Sequence, residues 1–382
     1  MIARWQALPP VSRIAGPIGL VALALAAEGA WRDPGAFYGS WLVAWLFILG
    51  IALAAMMNVM IHELTGGEWG VVLRPPLEAA MLTLPWCALA AIPLAFGLPH
   101  LFAWARPDAV AASEALQAKR WFLNLPSFLV RNAAWLVAWS ALAIAFVKRL
   151  GSASAADARA RRRIAVAGLL VYLPTITLFA YDWIASLVPE WSSTAAGVRL
   201  GSTQCLAALT FAVTFALAVP RRKDAAAVPT ARDLQDFGNL LLTFAMFWAY
   251  IAYMEFFIVW GEDLPRETSW YLPRTQTGWR WLGVAVFGLE FALPFCVMLF
   301  RRLKRNARAL GAVCALVLCG QWLDTLWLTA PSLRPAGFAV RWLDVAALAA
   351  QGGLWLALVA AIVARLPVPR GEVRAEEVEA HG

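Results

Sequence analysis

The stretch 236–306 reads DFGNLLLTFAMFWAYIAYMEFFIVW (236–260), GEDLPRETSWYLPRTQTG (261–278) and WRWLGVAVFGLEFALPFCVMLFRRLKRN (279–306). Two apolar runs flank a polar connection rich in Trp, Tyr and Pro. Each run exceeds the roughly 20 helical residues needed to cross a bilayer core. Each also carries one internal carboxylate, Glu255 in the first and Glu290 in the second. A carboxylate at that depth is costly, so it should face protein or a water-filled cavity. The closing RRLKRN is a basic cluster of the kind retained on the cytoplasmic side.

The same pattern fills the chain. Of 382 residues, 62% are hydrophobic and 15% charged, and the mean hydropathy is +0.66. Apolar runs recur along nearly the whole length, which excludes a soluble domain. Short alternating strands are absent, which argues against a β-barrel. The fold class expected is an all-α polytopic membrane protein, one transmembrane domain over 1–365 with a disordered cytoplasmic tail at 366–382. The length rule gives ten spans, near 14–30, 37–61, 77–97, 126–147, 164–188, 198–219, 237–260, 279–300, 310–330 and 340–365. The segments 151–160 and 225–229 read as flexible linkers. In the connection 98–125, SEALQAKRWF reads as a short interfacial helix.

Lys and Arg orient the spans. About two-thirds of the 32 fall on one side, chiefly in 148–163, 221–223 and 301–308, so both termini are expected in the cytoplasm. Arg199, Arg280 and Arg341 count on the opposite side, and Arg131 lies inside the fourth span. Trp270, Tyr271, Trp279 and Trp281 read as an aromatic belt. The net charge of +8 sits in short loops, so it sets topology and is no nucleic-acid signal. The five cysteines lie in apolar runs without a CxxC, and no metal spacing is present. His62 and His100 fall at opposite faces and His381 in the tail, so no bis-His haem is expected. No covalent cofactor and no metal site are expected.

Depth assigns the remaining candidates. Arg131 and Asp182 lie toward the outer ends of their spans, Glu255 and Asp324 in outer halves, and Glu290 near the middle. The functional reading is an outward-facing polar cavity with a proton path through Asp182, Glu255, Glu290 and Asp324, and Glu290 as its gate. The plainer reading makes these groups structural: Arg131 paired to a carboxylate, Asp182 and Asp344 at the interface. His62 and Glu63, at the end of the second span, are a candidate cytoplasmic uptake point for protons or a plain surface pair. The runs Ala88–Ala95 and Ala346–Gly353 suggest close helix packing, and Pro85, Pro93, Pro174 and Pro294 suggest kinks that free carbonyls.

Five stretches carry a family resemblance: WFLNLPSFLVRN (121–132), AYDWIASLVPEWSSTAAGV (180–198), 236–271, 278–306 and WLDTLWLTAP (322–331). Together they resemble the second large membrane subunit of alternative complex III, the quinol:cytochrome c oxidoreductase quinone-binding subunit 2, related to NrfD-like membrane subunits. The resemblance implies two four-helix bundles plus flanking helices in a bacterial cytoplasmic membrane. It implies partners: an NrfD-like quinol-binding subunit, an iron–sulfur subunit and multihaem cytochrome c subunits, with quinone or quinol nearby and no redox cofactor in this chain. The chain departs from the family pattern at Glu255 and Glu290, where an amide and a His are expected. Two other readings stay open, a stand-alone proton-coupled secondary transporter and a purely structural scaffold.

Overall fold

The computed structural model describes residues 10–150, 154–219, 229–335 and 337–366. Among them there is no strand. The tail from residue 367, most of the 225–229 linker and the start of the 151–160 linker lie outside the described residues.

In chain order the helices are α1 (Pro10–Arg32), α2 (Pro34–Thr65), α3 (Trp69–Met81), α4 (Leu84–Ala90), α5 (Ile92–Leu101), α6 (Pro107–Ala112), α7 (Glu114–Ala118), α8 (Leu125–Val147) and α9 (Ala155–Trp183). There follow α10 (Ala196–Ala218), α11 (Ala231–Glu262), α12 (Pro265–Gln276), α13 (Trp279–Phe287), α14 (Leu293–Met298), α15 (Arg301–Lys304), α16 (Ala307–Leu333) and α17 (Trp342–Val363). A π-turn, Gly288–Ala292, joins α13 to α14. Among the described residues nine spans are single helices or continuous stacks long and apolar enough to cross a membrane. The tenth is α3–α4 with α5, bent by 56°. The protein is therefore a multi-pass membrane protein.

Local chemistry sets the ends. Asp33 caps α2 by accepting from the Ala36 amide at 2.9 Å, with Pro34 in the first turn. Gly66, at φ +72°, terminates α2 in a conformation that favours glycine. Thr230 and Asp233 form a capping box on α11. The bend in the third span follows from Pro93, which cannot donate to the helix ladder. Leu94 N bonds Ala91 O instead, so Ala90 O is left for the Trp41 indole at 2.9 Å, and Trp45 donates to Cys87 O at 2.8 Å. The Ala88–Ala95 run thus holds a break, and Ala95 is exposed.

The spans sort into two four-helix bundles and a flanking pair. In the first bundle, α2 packs on α3–α5 and α9, and α8 on α4 and α9. In the second, α10 packs on α11 and α16, and α11 and α16 hold α13–α14 between them. The bundles meet where α2 crosses α10. These two helices are the most enclosed, 94% and 78% buried along their apolar windows against 22% for α11. The flanking pair is α1 on α17. A Cβ at Gly19 would sit 2.7 Å from Leu354 N, and one at Gly353 would sit 2.8 Å from Ala15 O, so the backbones touch through small residues.

One expected feature is corrected. Trp270, Tyr271 and Trp279 are buried in protein, and only Trp281 of that group faces outward. The connection after α11 is not a loop but a helix, α12, laid against α16.

Candidate functional site

Two buried polar stripes face each other across the α10–α16 contact. On α16 they are Gln321, Asp324, Thr325 and Thr329; on α10 they are Arg199, Thr203 and Gln204. Spacings of three and four residues put each set on one helix face. Arg199 Nη2 donates to Asp324 Oδ1 at 2.8 Å and Nη1 to Oδ2 at 3.1 Å, a two-pronged ion pair. Thr203 Oγ1 at 2.9 Å and the Trp248 indole of α11 at 3.4 Å also donate to Oδ2. Asp324 is wholly enclosed, and both of its oxygens accept hydrogen bonds.

Glu290 is placed differently. It lies within the π-turn, fully buried. The cause of the turn is local: Pro294, four residues on, has no N–H for the Glu290 carbonyl, and its ring crowds that carbonyl. The ladder widens there, with Leu293 N bonding Gly288 O. The side chain packs on Gly320 of α16, where a Cβ would approach Glu290 Cγ to 3.1 Å. The Gln321 amide is the polar side chain facing it, and the charges of Asp324 and Arg199 act on it. Yet neither Glu290 oxygen, nor either amide atom of Gln321, reaches hydrogen-bond geometry with a protein atom. An ionised, unpaired carboxylate so placed costs several kcal/mol, roughly, of desolvation.

Glu255 of α11 joins the same cluster from the other side. Ser193 donates to it at 2.6 Å, and Arg199, Asp324 and Arg274 act on it electrostatically. Arg274 of α12 meets no carboxylate directly. It donates to the carbonyls of Trp270 (2.6 Å), Trp327 (3.1 Å) and Leu328 (2.7 Å), and stacks 3.4 Å from the Trp270 ring centre. The Trp327 carbonyl is open because Pro331 lacks the N–H that would fill it. Burial raises the neighbouring Tyr271 phenol above its usual range, with the Glu255 charge adding to the effect. At the same end of the molecule, Lys119 donates to Pro189 O at 2.6 Å, and burial lowers its ammonium below the usual lysine value.

Between α2, α10 and α16 lies an interior cavity of about 10 Å³, lined by Gln204, Gln321, Thr203, Thr325 and Thr329 among others. That is room for about one water, and far too little for a quinone ring. Gln204 Nε2 is unpaired there, and Tyr172 donates to its Oε1 at 3.4 Å.

The four residues of the expected proton path divide. Glu255, Glu290 and Asp324 gather in the second bundle. Asp182 belongs to the first, where Arg131 Nη2 and Nε donate at 2.5 and 2.9 Å and Asn132 at 2.9 Å. Arg131 is thus the charge partner of Asp182. Asp344, in the first turn of α17, is buried, paired to Arg334 at 2.6 Å, and accepts from Ser40 at 2.6 Å. Glu63 is engaged by Arg74 at 2.7 Å and Arg161 at 3.0 Å, and Arg74 also pairs with Glu78. His62 Nε2 lies 2.9 Å from Gly67 O, so His62 and Glu63 are not a free surface pair. Sequence reasoning counted Arg199, at the start of the sixth span, only among the cations of the outer side, and passed over Gln204 and Gln321. The i, i+4 polar residues inside the apolar run of α16 were the available signal.

Among the described residues no three His, Cys, Asp or Glu side chains converge as metal ligands. No protein family and no curated protein matches the chain.

Proposed function

We propose that this chain is a cofactor-free membrane subunit of a quinol-oxidising electron-transfer complex of the alternative complex III kind, and that its second bundle relays protons. The observation that carries the relay is Glu290: a fully buried carboxyl group that faces the neutral Gln321 amide and has no ion-pair partner among the described residues, beside the closed Arg199–Asp324 pair. A group that cannot keep its charge cheaply is suited to take up and pass on a proton. Glu255 and Ser193 supply the approach from one end, and Gln321, which also lines the small and mostly apolar cavity, continues from the other. The family stretches support the place in the complex, as do the two four-helix bundles with flanking helices. The Lys and Arg distribution supports a bacterial cytoplasmic membrane with both termini inside.

The test is a mild-detergent pull-down from the native membrane, followed by a visible spectrum and quinol turnover. Co-purified c-type haem with quinol oxidation is expected. In that complex Glu290→Gln should lower proton release per quinol while leaving assembly intact. Unchanged release in the variant removes Glu290 from the path, and a colourless isolated protein removes the complex.

A structural scaffold is the second reading. It is favoured by the three Arg–Asp pairs that tie helices together, Arg131–Asp182, Arg199–Asp324 and Arg334–Asp344. The scaffold reading expects Glu255→Gln/Glu290→Gln to change stability more than turnover. The transporter reading expects a broken helix beside the carboxylates. The π-turn at Glu290, with Pro294 four residues on, is an interruption of that kind, while the 56° break lies in the first bundle.

A further inference from the structure

The six cations of 148–163 are not equivalent. Arg161 turns inward, donating to Glu63 at 3.0 Å and to the Arg149 carbonyl at 3.0 Å. Lys148 and Arg162 are exposed. Arg149, Arg159 and Arg163 line one open cleft of about 520 Å³, with Ala156, Ala160 and Ile164. That volume is in the range of about 300–1,000 Å³ typical of small-ligand sites. Arg149 spends one nitrogen on the Ala145 carbonyl at 2.6 Å, which fixes the guanidinium at the end of α8. Arg159 and Arg163 are four residues apart on α9, so they share a face.

The depth of the cleft matters as much as its charge. Its lining reaches Ile164, where the apolar part of α9 begins, and Arg149, two residues past the end of α8 at Val147. Three arginines therefore meet at the level where apolar helix gives way to polar chain. A guanidinium matches a phosphate with paired N–H donors, and basic clefts between membrane helices at this level suit phosphate head groups. We propose that the Arg149–Arg159–Arg163 cleft binds a phosphate ester. The site stands independently of the proton relay.

The experiment uses the full chain in mild detergent and a fluorescent phosphatidylglycerol probe, with phosphatidylcholine as the neutral comparison. Arg159→Gln/Arg163→Gln should weaken phosphatidylglycerol binding about thirtyfold, roughly fivefold for each cation lost near an anionic head group. Arg302→Gln/Arg308→Gln, which removes two exposed cations elsewhere, should change it less than about twofold. An unchanged melting temperature checks that the cleft variant is folded. Displacement of the probe by inorganic phosphate would identify a free phosphate-bearing solute as occupant, and resistance to phosphate would identify a lipid. Equal weakening in both double variants, or none in the cleft variant, overturns the site.

Discussion

The two four-helix bundles each bury an aspartate on their last span, and they settle its charge in different company. In the first, Asp182 meets Arg131 and Asn132, and the Asn132 carbonyl oxygen accepts from the Trp183 indole at 2.6 Å. Charge and hydrogen bonds close within one small network. In the second, Asp324 is as fully met by Arg199, Thr203 and Trp248. Around that pair, however, stand two more carboxyl groups, Glu255 with one hydroxyl donor and Glu290 facing only the Gln321 amide. One bundle is finished electrostatically and the other carries surplus acid. A buried ion pair alone is weak evidence of function; the surplus next to it is what distinguishes the second bundle.

The comparison breaks first at the ion pairs. Arg199→Met should cost about 3–5 kcal/mol, because Asp324 is left charged and enclosed. Adding Asp324→Leu should recover most of that loss, since a buried pair exchanged for apolar side chains is often neutral. Thermal unfolding of the detergent-solubilised protein measures both, and a double variant as unstable as the single one would show that the pair does more than cancel charge. Asp182→Asn should cost less, about 1–3 kcal/mol, because Arg131 keeps 12% of its side chain in the open and sits 3.9 Å from the Phe122 ring centre. A loss equal to that of Arg199→Met would erase the distinction between the bundles.

A smaller effect is expected at Gly320. Its Cβ in Gly320→Ala would press on Leu289 and Glu290 at 3.0 and 3.1 Å, a strain of about 1–2 kcal/mol. The variant should also disturb whatever proton exchange Glu290 performs. The smallest stability change belongs to Glu290→Gln, within about 1 kcal/mol of wild type, because it breaks no ion pair, keeps an amide facing Gln321 and spares a buried ionisable group. In infrared difference spectra the carboxylic-acid carbonyl band should vanish in that variant. A marked drop in melting temperature there would mean that Glu290 is a structural partner after all.

The ten spans were legible because a membrane helix writes itself as a long apolar run, and each expected span overlaps an observed helix. Glu255, Glu290 and Asp324 were legible for the same reason, as interruptions of such runs. Their grouping was not. Arg199 looked like one more cation of the outer side because it lies in the first turn of α10, three residues past the helix start. Only the packing of α10 on α16 shows that this turn is enclosed. Asp182 and Asp324 look alike in sequence, and their separation into two networks depends on which helices share a bundle. Trp270, Tyr271 and Trp279 read as an interfacial belt, since indoles favour that zone. Nothing short of the α12–α16 contact reveals that Arg274, held by carbonyls at the end of α16, draws them inside.

The π-turn at Gly288–Ala292 has a consequence for the phase of the eighth span. A π-turn is one residue inserted into an α-helix, and one residue is about 100° of rotation. The half of the span after Glu290 is therefore indexed about a quarter-turn or more away from where an uninterrupted helix would carry it. Deleting a single residue from 288–292 would return the helix to register and swing either Glu290 or the α14 face off its present bearing. In this span a frameshift of one position, with no change of composition, decides whether an acid points at Gly320 or at lipid.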